Sequence, residues 1–119
     1  DFLSFLLRDF IEKEKALKKL SLEEIQESVA RKYGVSVSQI LMKDRTQSLV
    51  TPRQVAMFIC RKYTPKSLKE ISDVFKKSHA TILHGVKMIE QRLDVEADLK
   101  KTVEEILRDF GYHLEDKMM

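Results

Sequence analysis

An all-α fold follows from three features of the sequence: few chain breakers, apolar residues at helical spacing, and repeated helix-start signals. Three Gly and two Pro in 119 residues leave room for long helices and argue against a many-turned β fold. Apolar side chains recur three and four residues apart along most of the chain. Ser21 with Glu24, and Ser67 with Glu70, have the spacing at which a hydroxyl and a carboxylate satisfy each other's backbone amides at a helix start. The arrangement expected is a helix-turn-helix bundle with an extra N-terminal connector helix, about six helices in all, five of them in one compact domain beginning near Ser21.

Residues 2 to about 20 carry Leu3, Leu6, Phe10, Leu17 and Leu20 in helical register. The first third is too apolar to be left bare, so its partner is expected upstream of this chain. The stretch from Glu12 to Lys19 is nearly all charged and reads as a solvated connector. A membrane anchor is the lesser reading, because its charges are mixed rather than gathered on a basic face. A helix opening at Ser21 has Ile25, Val29 and Tyr33 on one face and stops at Gly34. Ser36 to Leu41 reads as a short extra turn, and Met42 to Val50 as a polar loop without periodicity. Thr51-Pro52-Arg53-Gln54 reads as the next helix start, with Thr as N-cap and Pro at the first helical position. Val55, Phe58, Ile59 and Tyr63 form its core face, and Thr64-Pro65 ends it. Cys60 lies beside that face as a packing residue.

The stretch SLKEISDVFKKSHATILHG, Ser67 to Gly85, predicts two short helices around a cationic turn. Leu68, Ile71, Val74 and Phe75 share one face, Lys76-Lys77 make the turn, and Ser78 is the N-cap of the second helix. There Ile82, Val86, Ile89 and Leu93 face inward, leaving Ala80, His84 and Lys87 on the other side. This is the layout of a helix-turn-helix. Asp94 is expected to start a last helix with Leu99, Val103, Ile106 and Phe110, ending at Gly111. The domains are therefore 1–20 as connector helix, 21–112 as helix-turn-helix domain and 113–119 as a flexible tail.

The net charge of +3 conceals a strong polarity. Residues 1–42 balance at seven basic and seven acidic groups, residues 43–87 carry ten basic against three acidic, and residues 88–119 five against nine. The basic excess coincides with the helix-turn-helix, where a local positive field attracts phosphate. Enzyme constellations are thin. There is no Gly-rich phosphate loop, no HExxH and no CxxC. His79 and His84 are wrongly spaced to share a metal on a helix, and His113 lies in the tail. The chain is read as a non-enzyme with no cofactor or metal of its own. One cysteine excludes an internal disulfide and fits a cytoplasmic location, and the apolar start is too short to span a bilayer.

A helix N-terminus offers amides and a positive dipole end to phosphate while its first-turn side chains reach outward. His79 can donate or accept at a base, Ala80 can touch a thymine methyl, and Thr81 can do either or hold phosphate. His79 is equally readable as a surface cap residue, and Arg45 as a solvated loop charge rather than a minor-groove arginine.

The residues from about Ser21 to Leu107 resemble the C-terminal DNA-binding domain of the bacterial replication initiators of the DnaA family. The resemblance rests on Thr51-Pro52-Arg53-Gln54-Val55-Ala56-Met57, on Ser67-Leu68-Lys69-Glu70-Ile71, and above all on Ser78-His79-Ala80-Thr81-Ile82-Leu83-His84, where the family signature is DHTTVLHA. It implies binding of double-stranded origin DNA at DnaA-box-like nonamers, with the recognition helix in the major groove. It also implies that Arg45 enters the minor groove and that Ser78, His79, Ala80 and Thr81 read bases. Lys43, Arg53, Gln54, Arg61, Thr81 and His84, with amides near Leu68 and Lys69, are then expected at the DNA backbone. The connector helix would resemble the end of an upstream ATPase domain, the only place where ATP is expected. Ser78 stands where the signature has aspartate and Ala80 where it has the first threonine, which opens the way to a relaxed or shifted preference. Gln47 and Thr51 stand where other members are often basic.

Two other readings fit the same residues. One is a helix-turn-helix transcriptional regulator. The other is a protein-interaction module whose basic face meets an acidic replication regulator.

Overall fold

The computed structural model describes residues 1–43 and 46–118, with backbone only at 13–19 and 47. Its order is α1 (Phe2–Lys19), α2 (Leu22–Tyr33), α3 (Val37–Leu41), α4 (Gln47–Tyr63), α5 (Leu68–Phe75), α6 (His79–Leu93) and α7 (Ala97–Asp109), then a short 3-10 turn over Leu114–Asp116. The described residues thus form seven α-helices; α3 is the extra turn expected after Ser36.

The helix starts follow their hydroxyls. Ser21 accepts from the Glu24 amide at 3.1 Å. Ser36 with Gln39 and Ser67 with Glu70 close both halves of the capping box. At the other end of α2, Gly34 adopts the left-handed conformation, φ 68°, which glycine enters without a Cβ clash.

The core is built on α4. Val55 through Cys60 are buried at six consecutive positions, and so are Pro52, Arg53 and Tyr63. A helix buried on every side belongs at the centre. Around it lie Ile25 and Val29 of α2, Ile40 of α3, Ile71 and Phe75 of α5, Ile82, Val86 and Ile89 of α6, and Leu99, Val103, Ile106 and Leu107 of α7. Helix α6 comes close to α4 at Gly85, where a Cβ would stand 2.8 Å from the Met57 sulfur. Side-chain links tie the bundle further. Gln26 donates to the Val74 carbonyl at 3.2 Å, Lys32 of α2 pairs with Glu105 of α7, and Lys62 pairs with Glu90 of α6 at 3.4 Å.

Three elements differ from the sequence expectation. First, α4 begins at Gln47, not Thr51, so the expected loop over Met42 to Val50 is shorter. The Thr46 carbonyl accepts from the Leu49 and Val50 amides, each at 3.0 Å, and buried Leu49 anchors this added turn. Pro52 therefore lies inside the helix. In this second turn its missing amide leaves the Ser48 carbonyl without its helical donor and its ring crowds that carbonyl, the ordinary cost of a proline past the first turn. Thr51 is then no N-cap; its hydroxyl accepts from Arg92 at 3.0 Å.

Second, α7 starts after Glu96 rather than at Asp94. The Arg92 carbonyl accepts from both Val95 and Glu96, at 3.1 and 2.8 Å. The Arg92 guanidinium also holds the Glu96 carboxylate through two bonds, at 2.7 and 3.1 Å. Third, the tail expected to be loose lies against α4. Tyr63 donates to the Leu114 carbonyl at 2.6 Å, the Met118 amide donates to Lys62 at 2.7 Å, and Tyr112 is buried.

By contrast, the described side chains of α1 are bare. Residues 2–12 are all exposed, including Phe2, Leu3, Phe5, Leu6, Leu7, Phe10 and Ile11. Asp1 caps it, its carboxylate accepting from the Leu3 and Ser4 amides at 2.7 and 3.2 Å. Leu20, after the end of α1, belongs to the core.

Candidate nucleic-acid interface

Helices α5 and α6 form the helix-turn-helix, with the turn held by backbone conformation and one hydroxyl. Lys76 takes the left-handed conformation, φ 56°, the one non-glycine with positive φ among the described residues. Its amide returns to the Ser72 carbonyl, and the Ser72 hydroxyl donates to the Lys77 carbonyl. The chain then enters α6 through Ser78, whose Oγ accepts from the Thr81 amide at 3.2 Å.

Beside this N-terminus runs a cleft of about 730 Å³. One wall is the front of α4, with Val50, Arg53, Gln54 and Met57; the other is Lys76, Lys77, Ser78, Thr81, His84 and Gly85; Lys43 closes the rim. Four of these side chains are basic and none is acidic. The Lys77 ammonium is pushed below the usual lysine value, first by partial burial and then by the charges of Arg53 and Lys43. A cluster of like charges that disfavours its own protonation is a site that gains from an anion.

On the outer side of α6, His79, Ala80, Thr81, Leu83, His84 and Lys87 are exposed. His79 and Ala80, at the tip, project clear of the core. Ser78 and Thr81 are less free than the sequence suggests, since their hydroxyls lie 2.9 Å apart and share a hydrogen bond. Ser78 is first of all a helix cap.

The structure gathers Lys43, Arg53, Gln54, Ser78, Thr81 and His84 around one cleft and places His79 and Ala80 next to it. Arg61, Leu68 and Lys69 are not in the cleft wall: Arg61 is half-buried on the far half of α4, Leu68 packs on the core and Lys69 is exposed at the start of α5. Arg45 lies outside the described residues, as does the side chain of Gln47. Arg53 departs most from expectation. It is 8% exposed, and its guanidinium donates to the carbonyls of Ile40 at 2.5 Å, Met42 at 2.6 Å and Gln39 at 3.3 Å. Sequence reading omitted Lys76 and Lys77 from the site. The available signal was the double lysine itself, sitting in a turn that a helix-turn-helix must expose.

Other chemistries find no footing among the described residues. Cys60 is fully buried and its thiol is pushed far up by that burial, the opposite of a reactive cysteine. No group of three or more His, Cys, Asp or Glu is placed to hold a metal among those residues, and no helix is long and apolar enough to cross a membrane.

Residues 22–89 match the sequence family described as "Bacterial dnaA protein helix-turn-helix". The chain belongs to this DnaA helix-turn-helix family. Among curated relatives, the chromosomal replication initiator protein DnaA of Bartonella quintana is 42% identical over 95 residues, which is 79% of this chain and 19% of that protein. The protein of the same name from Geotalea uraniireducens is 36% identical over 105 residues, 87% of this chain and 23% of that one. A crystal structure titled as a DNA replication initiation factor superposes with a TM-score of 0.66 at 30% identity, covering 88% of this chain and 31% of the other. The chain thus spans about a fifth of the curated DnaA relatives it matches. The matched span runs from the start of α2 to the middle of α6 and takes in the whole cleft.

Proposed function

We propose that this DnaA-family chain binds double-stranded DNA at a replication origin, at DnaA-box-like sites, and thereby serves the initiation of chromosomal replication. The observation that carries this reading is the cationic cleft, without an acidic side chain among its described lining residues, beside the exposed N-terminus of α6. In this account α6 enters the major groove, with His79 and Ala80 as its principal base contacts and Thr81 at base or backbone. Ser78 holds the helix start and shares its hydroxyl with Thr81, so it reads less strongly than a free side chain. Lys43, Lys77, Gln54 and His84 face the phosphates, and the segment 43–46, with Arg45, lies near the adjacent minor groove. Arg61, Leu68 and Lys69 would meet backbone farther along the duplex.

The bare apolar face of α1 supports packing against an upstream ATPase domain of the same protein, where ATP would bind. Replication regulators are further partners, and the cytoplasm is the expected compartment. Selection of bound sequences from a random duplex pool tests the proposal. Recovery of a DnaA-box-like nonamer is the expected result, with positions facing Ser78 and Ala80 less constrained than the rest. Enrichment of no sequence, or affinity that does not fall with salt, contradicts it.

A further inference from the structure

We propose that Arg53 is a positioning residue: its guanidinium pins the end of α3 so that Lys43 stands on the rim of the cleft it shares with Lys77, and the two ammoniums grip the same stretch of DNA backbone. The inference rests on the DNA-binding reading and adds to it a division of labour among the cleft cations.

Helix α3 has five residues, too few to hold its own shape, since a helix nucleus is unfavourable at that length. Its start is fixed by the Ser36–Gln39 box. Its end has only one long backbone bond, from the Met42 amide to the Gln39 carbonyl at 3.3 Å, and Met42 leaves it in extended conformation, ψ 161°. The carbonyls of Gln39, Ile40 and Met42 are also collected by the Arg53 fork, reaching from the second turn of α4. A side chain that donates to the last carbonyls of a helix caps it, and a planar guanidinium can serve several at once where an ammonium is a point charge. Lys43 follows directly on Met42, so the bond to the Met42 carbonyl fixes where the Lys43 backbone emerges. Lys43 itself is exposed and lines the cleft with Lys77. The fields of Arg53 and Lys43 both reach Lys77, so the three cations are close neighbours. Among the described cleft cations, Lys43, Lys76 and Lys77 lie outside the carbonyl cage that occupies Arg53, and Lys43 and Lys77 are the two whose charges are coupled.

The test is a double-mutant cycle on the 119-residue chain, reading duplex affinity at 50 and 200 mM salt for wild type, Lys43→Ala, Arg53→Lys and the double variant. Loss of one phosphate contact shrinks the drop in affinity between these salts by about 3.5-fold. Lys43→Ala is expected to show that change. Arg53→Lys keeps its charge yet is expected to show the same change, and the double variant no more than either single one. An Arg53→Lys protein with the wild-type salt response overturns the inference, as do effects that simply multiply, or a variant unfolded at the assay temperature, which would make Arg53 a residue of the core alone. Failure of the wild type itself to bind duplex in a salt-dependent way is a separate result. It removes the DNA-binding reading and this inference with it.

Discussion

Lys76 and Gly85 show at single positions how the helix-turn-helix is set. Lys76 holds a left-handed backbone that costs an L-residue on the order of 1–2 kcal/mol and glycine almost nothing. After allowing for the greater freedom glycine has when unfolded, Lys76→Gly is expected to stabilise the chain by about 0.5–1 kcal/mol. The same change removes a cleft cation and should weaken duplex binding. Thermal melting and binding should therefore move in opposite directions, and a loss of both would refute the strain account. Gly85→Ala places a methyl against Met57 and within 3.3 Å of the Gln54 side chain. Forcing α4 and α6 apart there is expected to cost about 1–3 kcal/mol in a denaturant melt. The exposed polar start of α6 after a lysine turn was legible in the sequence, because the Ser78 cap and the register of Ile82, Val86 and Ile89 fix which side faces out. The shared Ser78–Thr81 hydrogen bond and the burial of Arg53 were not. Nothing in linear spacing shows that an arginine in a Pro-Arg-Gln run will turn inward to three carbonyls contributed by residues 39–42.

At the scale of elements, caps and pairs between helices give a pH signature. Glu70 is held below its ordinary value of 4.5 chiefly by the Ser67 amide. Glu96 is lowered chiefly by its hydrogen bonds to Arg92, and Glu105 chiefly by its hydrogen bond to Lys32. In each case the unfolded chain binds the proton more readily. The stabilisation is therefore complete above pH 4.5 and is lost as pH falls through the lowered folded values. The three groups are solvent-facing, so each contribution is small and screened by salt. A melting temperature that is flat above pH 5 and declines below about pH 4.5 is expected; Glu96→Gln should flatten part of that decline. Helix identity was legible wherever caps and periodicity agreed, as in α2, α5 and α6. It misled at Pro52, because a proline beside a threonine reads as a start whether it stands at the first position or in the second turn. The deciding contact, buried Leu49, depends on the fold around it. The same holds for the tail, whose partners Tyr63 and Lys62 are more than fifty residues back in sequence.

Across the whole molecule, charge and apolar surface are segregated. Four of the ten basic residues in the middle of the sequence line the cleft, the acidic excess runs from Glu90 to the C-terminal end, and bare apolar surface among the described residues is concentrated on α1. This large-scale division was legible from charge counting alone, because the segments that carry each sign fold as contiguous helices. In the proposed DNA complex the tip of α6 reads bases and the cleft lysines bind the backbone. Those two roles scale differently: a lost base contact removes discrimination, whereas a lost phosphate contact weakens every duplex alike and lowers the salt slope. Lys77→Ala is therefore expected to weaken selected and unrelated duplexes equally. The most direct test is the ratio of affinities for the selected nonamer and an unrelated duplex, measured for His79→Ala against wild type. A fall in that ratio of roughly 5- to 150-fold, matching a base contact of about 1–3 kcal/mol, with the salt slope unchanged, is the predicted result. An unchanged ratio accompanied by a shallower salt slope would make His79 a backbone contact and contradict the placement of α6 in the major groove.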